Sequence, residues 1–234
     1  MTYVISDLHG YPAEKLKRLL ATAGFSGSDD LYILGDVIDR NGDGGVGVLL
    51  WLLEQANAQL ILGNHEAMLL SCDFLFDEIT YESINDMDRE KIDLLYTYTL
   101  NGGGVTLSAL RELPKDTRQD ILDYLRDCPL YEAVTAGGRD YLLVHSGFDN
   151  FSRDRKISDY SSDELLWANP SITDEYFDDI HTVFGHRPTK YFGDEFDGKI
   201  LKTRTWTCID CGAGYGNEPR LLRLDDYMEF RLDS

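Results

Sequence analysis

Four of the five histidines in this chain, His9, His65, His145 and His186, stand within two residues of a glycine, each just past a short apolar run. The runs lead into Asp7-Leu8-His9-Gly10, Gly35-Asp36-Val37-Ile38-Asp39-Arg40, Gly63-Asn64-His65-Glu66, Val144-His145-Ser146-Gly147 and Phe184-Gly185-His186-Arg187. Asp7, His9 and Asp36 supply two carboxylates and an imidazole for one cation. Asp36, Asn64, His145 and His186 supply a second set if Asp36 bridges. Imidazole, carboxylate and amide oxygen without thiolate suit Mn, Fe, Zn or Ni. Two such cations about 3.5–4 Å apart activate a water for in-line attack and offset charge developing on phosphoryl oxygens. Any one of these fragments alone reads as ordinary turn chemistry, but five of them in order do not. His181 falls outside the pattern.

The elements that must carry these residues follow from periodicity. Thr2–Ile5, Leu31–Leu34 and Gln59–Leu62 read as strands, with helices at Ala13–Ala23, at Val46–Ala56 and from Glu66 onward. That β-α-β-α-β order favours a parallel sheet with right-handed crossovers, and ligands then gather beyond the carboxyl ends of the strands. The stretch 73–93, dense in Asp and Glu, reads as a solvated helical insertion or cap. Asp116-Thr117-Arg118-Gln119 resembles a capping box that opens a helix ending before Pro129. From Tyr131 the pattern turns to strands: Tyr131–Thr135 and Tyr141–His145 around Gly137-Gly138, then Thr182–Phe184, Ile200–Thr203, Thr205–Ile209, Arg220–Arg223 and Glu229–Leu232. We expect one α/β domain over 1–234 with two sheets and a helical insertion over 73–128.

The five blocks resemble those of the phosphoprotein phosphatases within the calcineurin-like metallophosphoesterases, particularly small bacterial and phage members. Asn101-Gly102-Gly103 and Ile209-Asp210-Cys211-Gly212 also look like loops of those proteins. The resemblance runs from Asp7 to His186. It implies an α/β (α+β) fold, a four-layer α-β-β-α sandwich of two mixed sheets, with two divalent metal ions between them. Asp7, His9 and Asp36 would then hold one metal, and Asp36, Asn64, His145 and His186 the other. His65 would protonate the leaving oxygen, Asp39 would orient its ring, and Arg40 would clamp the phosphoryl group with its planar fork. The implied activity is serine/threonine (or dual-specificity) protein phosphatase, and the implied substrate a phosphorylated protein or small phosphoester.

The chain departs from that pattern at three positions. Asn41 replaces a glycine after Asp-Arg, and Asn169 in Leu166-Trp167-Ala168-Asn169 replaces a phosphate-binding arginine. Arg187 stands where a threonine is usual, and we expect it to contribute a substrate contact in compensation. Symmetric dinucleoside tetraphosphate hydrolases resemble the chain too, but typically end the third block in Asp and lack the Asp before Arg. Glu66 and Asp39 therefore favour the protein-phosphatase side. A non-catalytic metal-binding domain is a third reading.

Composition narrows the partners. Against 22 Lys and Arg stand 42 Asp and Glu, a formal charge of −20. Nucleic-acid binding rests on cations neutralising phosphates, and anionic membranes also attract basic segments, so neither partner is expected. No apolar run approaches a membrane span, and the opening Met1–Asp7 lacks the features of a secretory leader. Four cysteines read as thiols of a cytoplasmic protein. Gly42–Gly47 matches G-x-G-x-x-G, but it lies too far behind its strand for a dinucleotide site. Cys208 and Cys211 form a lone C-x-x-C without the second pair a zinc ribbon needs.

Overall fold

Alternation along the strands sends successive side chains into different cores, and this sets the layering. In β1 (Thr2–Ile5), Val4 faces one apolar cluster while Tyr3 and Ile5 face another. The computed structural model describes residues 1–77 and 88–232. After β1 come α1 (Ala13–Thr22), β2 (Asp30–Ile33), α2 (Val46–Leu52), β3 (Ala58–Leu60) and α3 (Asn64–Ser71). β1, β2 and β3 are parallel neighbours, with Tyr3 opposite Leu31 and Leu31 opposite Ala58. The last two strands, β9 (Leu221–Arg223) and β10 (Met228–Phe230), extend this sheet antiparallel, giving the order β10-β9-β1-β2-β3.

The second sheet is built from β4 (Tyr131–Ala136), β5 (Arg139–Val144), β6 (His181–Phe184), β7 (Leu201–Lys202) and β8 (Trp206–Cys208) in the order β4-β5-β6-β8-β7. β5, β6 and β8 run parallel, while the hairpin partners at both edges are antiparallel. Gly137 and Gly138, at φ 55° and 75°, make the two-residue turn between β4 and β5 that matches strand twist. The expected four layers are present. Val4, Leu34, Ile61, Tyr141, Leu143, Val183 and Leu222 fill the space between the sheets. Leu16, Leu19, Ile33 and Leu49 belong to the core between the first sheet and its helices. Behind the second sheet Leu142, Val144, Phe184 and Trp206 pack with Leu165 of a short helix, α7 (Ser162–Leu166), and with flanking turns.

Between α3 and β4 lie three helices, α4 (Arg89–Leu100), α5 (Gly104–Glu112) and α6 (Lys115–Asp127). The acidic stretch expected to form an insertion lies outside the described residues at 78–87; its described ends are a 3-10 turn, Asp73–Phe76, and the first turn of α4. The expected capping box at Asp116 is not formed. α6 opens at Lys115 with Pro114 at the boundary, where its preset φ of −52° suits a helix start, and Asp116 sits inside the first turn. A reciprocal Ser–Glu capping box forms at α7 instead: Ser161 Oγ accepts from Glu164 N while Glu164 Oε2 accepts from Ser161 N. α2 is four residues shorter than its apolar run, because the chain turns at Leu53–Gln55. Cys72, Cys128, Cys208 and Cys211 are free thiols. Among the described residues, no helix is long and apolar enough to cross a membrane.

His181, on β6, meets Thr207 Oγ1 at 2.9 Å. Burial pushes its pKa down to about 4, and Lys202 and Arg139 push in the same direction. The unfolded chain binds this proton from about pH 6.5, so the folded state loses stability as pH falls from there toward 4. Urea melts of the His181→Gln variant should show a shallower decline over that window than those of the parent.

Candidate metal centre

The five blocks meet at the carboxyl ends of parallel strands from both sheets, and the backbone there is forced into uncommon shapes. Asp7, His9, Asp36, Asp39, Arg40 and His186 all have positive φ, between 42° and 76°. Left-handed backbone in residues with a Cβ costs on the order of 1–3 kcal/mol each, so the surrounding bonds must hold these turns in place. The loops after β1 and β2 are stitched by Asp7 N to Gly35 O, His9 N to Asp36 O and Gly10 N to Val37 O, at 2.9–3.1 Å. The Glu66 carboxylate, wholly buried, accepts Asp36 N and Val37 N at 2.8 Å, Gly63 N at 3.1 Å and Ile38 N at 3.3 Å. Gly35 has φ 83°, and a Cβ there would collide with the His145 ring and the Gly63 backbone.

Within this frame the donor atoms converge in two groups. One holds Asp36, His145 and His186; the other holds His9, Asp36 and His65, and Asp36 is common to both. His145 Nδ1 donates to Leu34 O at 2.7 Å, so Nε2 carries a lone pair. That lone pair faces Asn64 Oδ1 at 2.9 Å, His186 Nδ1 at 3.2 Å and Asp36 Oδ1 at 3.5 Å. His9 Nδ1 lies 3.1 Å from Ile38 O, which leaves Nε2 toward Asp36 Oδ2 at 3.7 Å. Asp7 falls outside both groups as placed, because its two oxygens accept the His186 N–H at 3.0 and 2.9 Å. Asp210 is buried nearby and caps its own turn by accepting Gly212 N at 2.8 Å.

The electrostatics describe a site that fits positive charge. Burial, then Asp210 and Asp36, hold the Asp7 carboxyl well above the usual range. Burial likewise raises Asp210 to about 7. Burial opposes ionisation of Asp36 too, but the rings of His145, His65 and His9 hold it below the usual range. His9 and His186 are pushed down to about 3, chiefly by burial, and so present neutral nitrogens. Among the described residues no lysine or arginine is ion-paired with Asp36, whose close neighbours are the rings of His9, His65 and His145. Asp36 Oδ1 accepts the His65 N–H at 3.0 Å, but the His145 Nε2 lone pair faces oxygens of Asn64 and Asp36, which is costly unless a cation joins them. Asp36, Asn64, His145 and His186 can hold one divalent ion, and His9 and Asp36 with Asp7 or His65 a second.

His65 also makes a contact of another kind. Its Nδ1 lies 2.6 Å from Asp39 Oδ2, and its Nε2 faces Arg40 Nη2 at 3.1 Å. Burial pulls the His65 pKa down, yet Asp36 and the hydrogen-bonded Asp39 outweigh it and leave it raised. Arg187 does not stand free over the centre: its guanidinium donates to Pro170 O at 2.6 Å and Tyr191 O at 3.3 Å and lies over the Phe192 ring. Asn169 is exposed. Asn41 ties two loops together through His9 O and Gly214 O. The Gly42–Gly47 segment is occupied from within, since Asp43 accepts Gly45 N and Gly47 N at the start of α2.

Two kinds of contributor received no structural role from residue spacing. Glu66 acts as the anchor of the Asp36 turn, and its signal was a Glu three residues after the helix-opening Gly63. Tyr98 and Thr106, from α4 and α5, donate to Asp39 Oδ1 at 2.7 and 2.6 Å, and nothing local in the sequence marks them.

Comparison with known proteins agrees with this geometry. A family model described as calcineurin-like phosphoesterase matches residues 2–215. A symmetrical bis(5'-nucleosyl)-tetraphosphatase from Acidovorax sp. (strain JS42) is 30% identical over 146 residues, 62% of this chain and 43% of that protein. Another from Coxiella burnetii (strain Dugway 5J108-111) is 27% identical, over 85% of this chain and 58% of its own length. The chain thus spans about half the length of these curated relatives. Among solved structures, a putative diadenosine tetraphosphatase superposes with a TM-score of 0.65 at 19% identity, covering 99% of this chain and 92% of that one. A Saccharomyces cerevisiae protein serine/threonine phosphatase gives 0.55 at 16%, covering 100% and 80%. At such identities these two are likenesses of fold.

Removing the Glu66 carboxylate would leave up to four buried N–H groups without an acceptor, at about 1–3 kcal/mol for each one unsatisfied. Glu66→Ala should therefore lower stability in chemical denaturation and weaken Mn²⁺ uptake measured by calorimetry, although Glu66 is not itself a ligand.

Proposed function

This chain belongs to the calcineurin-like phosphoesterase family, and from that membership we propose that it hydrolyses phosphomonoesters, with phosphorylated serine or threonine side chains of proteins as the first candidate substrates. The observation that carries the reading is the Asp39–His65–Arg40 arrangement beside the metal-binding donors. An alkoxide is a poor leaving group and gains most from a positioned acid. Asp39 fixes the ring through Nδ1 and directs Nε2 outward. Arg40 now donates to that Nε2; turned to a phosphoryl oxygen, the guanidinium would clamp the substrate and leave Nε2 free to carry the proton. Divalent cations, Mn²⁺ first and Fe, Zn or Ni in its place, would activate the attacking water and offset charge on the phosphoryl oxygens.

A second reading is symmetric cleavage of a dinucleoside tetraphosphate, and two observations favour it. The curated relatives above carry that name. A groove of about 900 Å³, with Leu62, Met68, Leu94, Leu166 and Trp167 in its walls, offers an apolar surface for a base. The exposed Trp167 ring there meets the His186 ring edge-on, with centroids 6.1 Å apart.

A Mn²⁺-dependent panel of phosphoserine, phosphothreonine and phosphotyrosine peptides, diadenosine tetraphosphate and simple nucleotides decides between the two. The peptides are expected to turn over fastest; preference for diadenosine tetraphosphate establishes the second reading, and inertness toward every compound overturns both. His65→Asn should lower kcat on phosphoserine peptide by roughly 10²–10⁴-fold.

A further inference from the structure

Among the described residues, the helical segment between α3 and β4 reaches into the centre at the Asp39–Arg40 turn. Tyr98, fully buried on α4, donates its hydroxyl to Asp39 Oδ1 at 2.7 Å. Thr106, fully buried in the first turn of α5, donates to the same oxygen at 2.6 Å and accepts the Asp39 N–H at 3.0 Å. Between the two helices, Gly102 O accepts the Arg40 N–H at 3.1 Å. The two helices and the loop between them therefore grip this turn by four hydrogen bonds, and its two residues are both in left-handed backbone conformation.

The division of labour within the Asp39 carboxylate matters. Oδ1 takes both hydroxyls, whereas Oδ2 alone faces His65 Nδ1 at 2.6 Å. A carboxylate with one oxygen held this way cannot rotate to present the other to the imidazole, nor swing away from it. We propose that Tyr98 and Thr106 are positioning residues for the His65 proton donor: by saturating one oxygen of Asp39 they set the direction of the other, and so aim His65 Nε2. The inference rests on the phosphoester-hydrolase reading and adds a role for α4 and α5, which touch neither substrate nor metal ligands through these two side chains. The benefit is confined to the step in which Nε2 gives its proton to the departing oxygen as the phosphorus–oxygen bond breaks. It should disappear for leaving groups that depart as stable anions.

The test compares the parent with Tyr98→Phe, Thr106→Val and Thr106→Ser in the Mn²⁺-loaded full chain. On an alkyl phosphate, Tyr98→Phe and Thr106→Val should lower kcat about 10-fold, part of the roughly 10²–10⁴-fold that general acids contribute, with KM little changed. On 2,4-dinitrophenyl phosphate the loss should be under about 2-fold by the same reasoning. Thr106→Ser, which keeps the hydroxyl, should restore most of the alkyl phosphate rate. In a His65→Asn background, Tyr98→Phe should add no further loss, since the two act through one group. A readout independent of turnover is the ring ¹⁵N–¹H signal of His65 in labelled, Zn²⁺-loaded protein, whose hydrogen-bonded Nδ1–H should broaden or shift in Tyr98→Phe and Thr106→Val and keep its parental position in Thr106→Ser. Equal loss on both esters, additivity with His65→Asn, or an unchanged His65 signal overturns the proposal. A parent inert toward all phosphoesters overturns the activity reading instead, and the ring signal still decides the positioning role.

Discussion

The buried Glu66 carboxylate holds the turn on which the whole centre is hung. Four backbone N–H groups converge on it, three of them from Asp36, Val37 and Ile38. They fix a left-handed residue, Asp36, whose carboxylate lies between the two groups of imidazoles. Burial and the nearby Asp36 push Glu66 up to about 7, while the N–H donors pull the other way. A group so placed gains from positive charge close by, which links the turn to the ions the centre can hold.

The same constraint explains why six residues of the centre can sit in costly backbone conformations. Parallel strands end at one level, and short loops must then reverse or plunge within a few residues to bring donors from both sheets to one point. The neighbouring backbone bonds and Asn41 over-determine each turn, so the strain remains local and the donor atoms stay in place. The inter-sheet core of Val4, Leu34, Ile61, Leu143 and Val183 sets the distance between the two sets of strand ends.

The two outer layers differ. Helices α1 to α6 make a deep layer on the first sheet, and α4 and α5 use it to reach Asp39. Among the described residues, the second sheet is covered by one short helix and turns, and Trp167 follows that helix directly to meet His186. The hydroxyl donors to Asp39 thus come from one side of the sandwich and an exposed aromatic wall from the other.

The sequence by itself determined the strand order of the first half, the two-sheet layout and most of the side chains that gather at the centre. It could do so because strand ends, glycines and ligand residues lie within a few positions of one another, and period-two alternation is a local property. Only the tertiary structure decided the rest. Val37 N to Glu66 Oε1, Tyr98 to Asp39 and Arg187 to Pro170 join residues far apart along the chain, so no local pattern encodes them. The direction of Asp7 was decided in the same way: its oxygens turned to the His186 N–H, 179 residues on, because a buried carboxylate takes whichever donors the packed loops present.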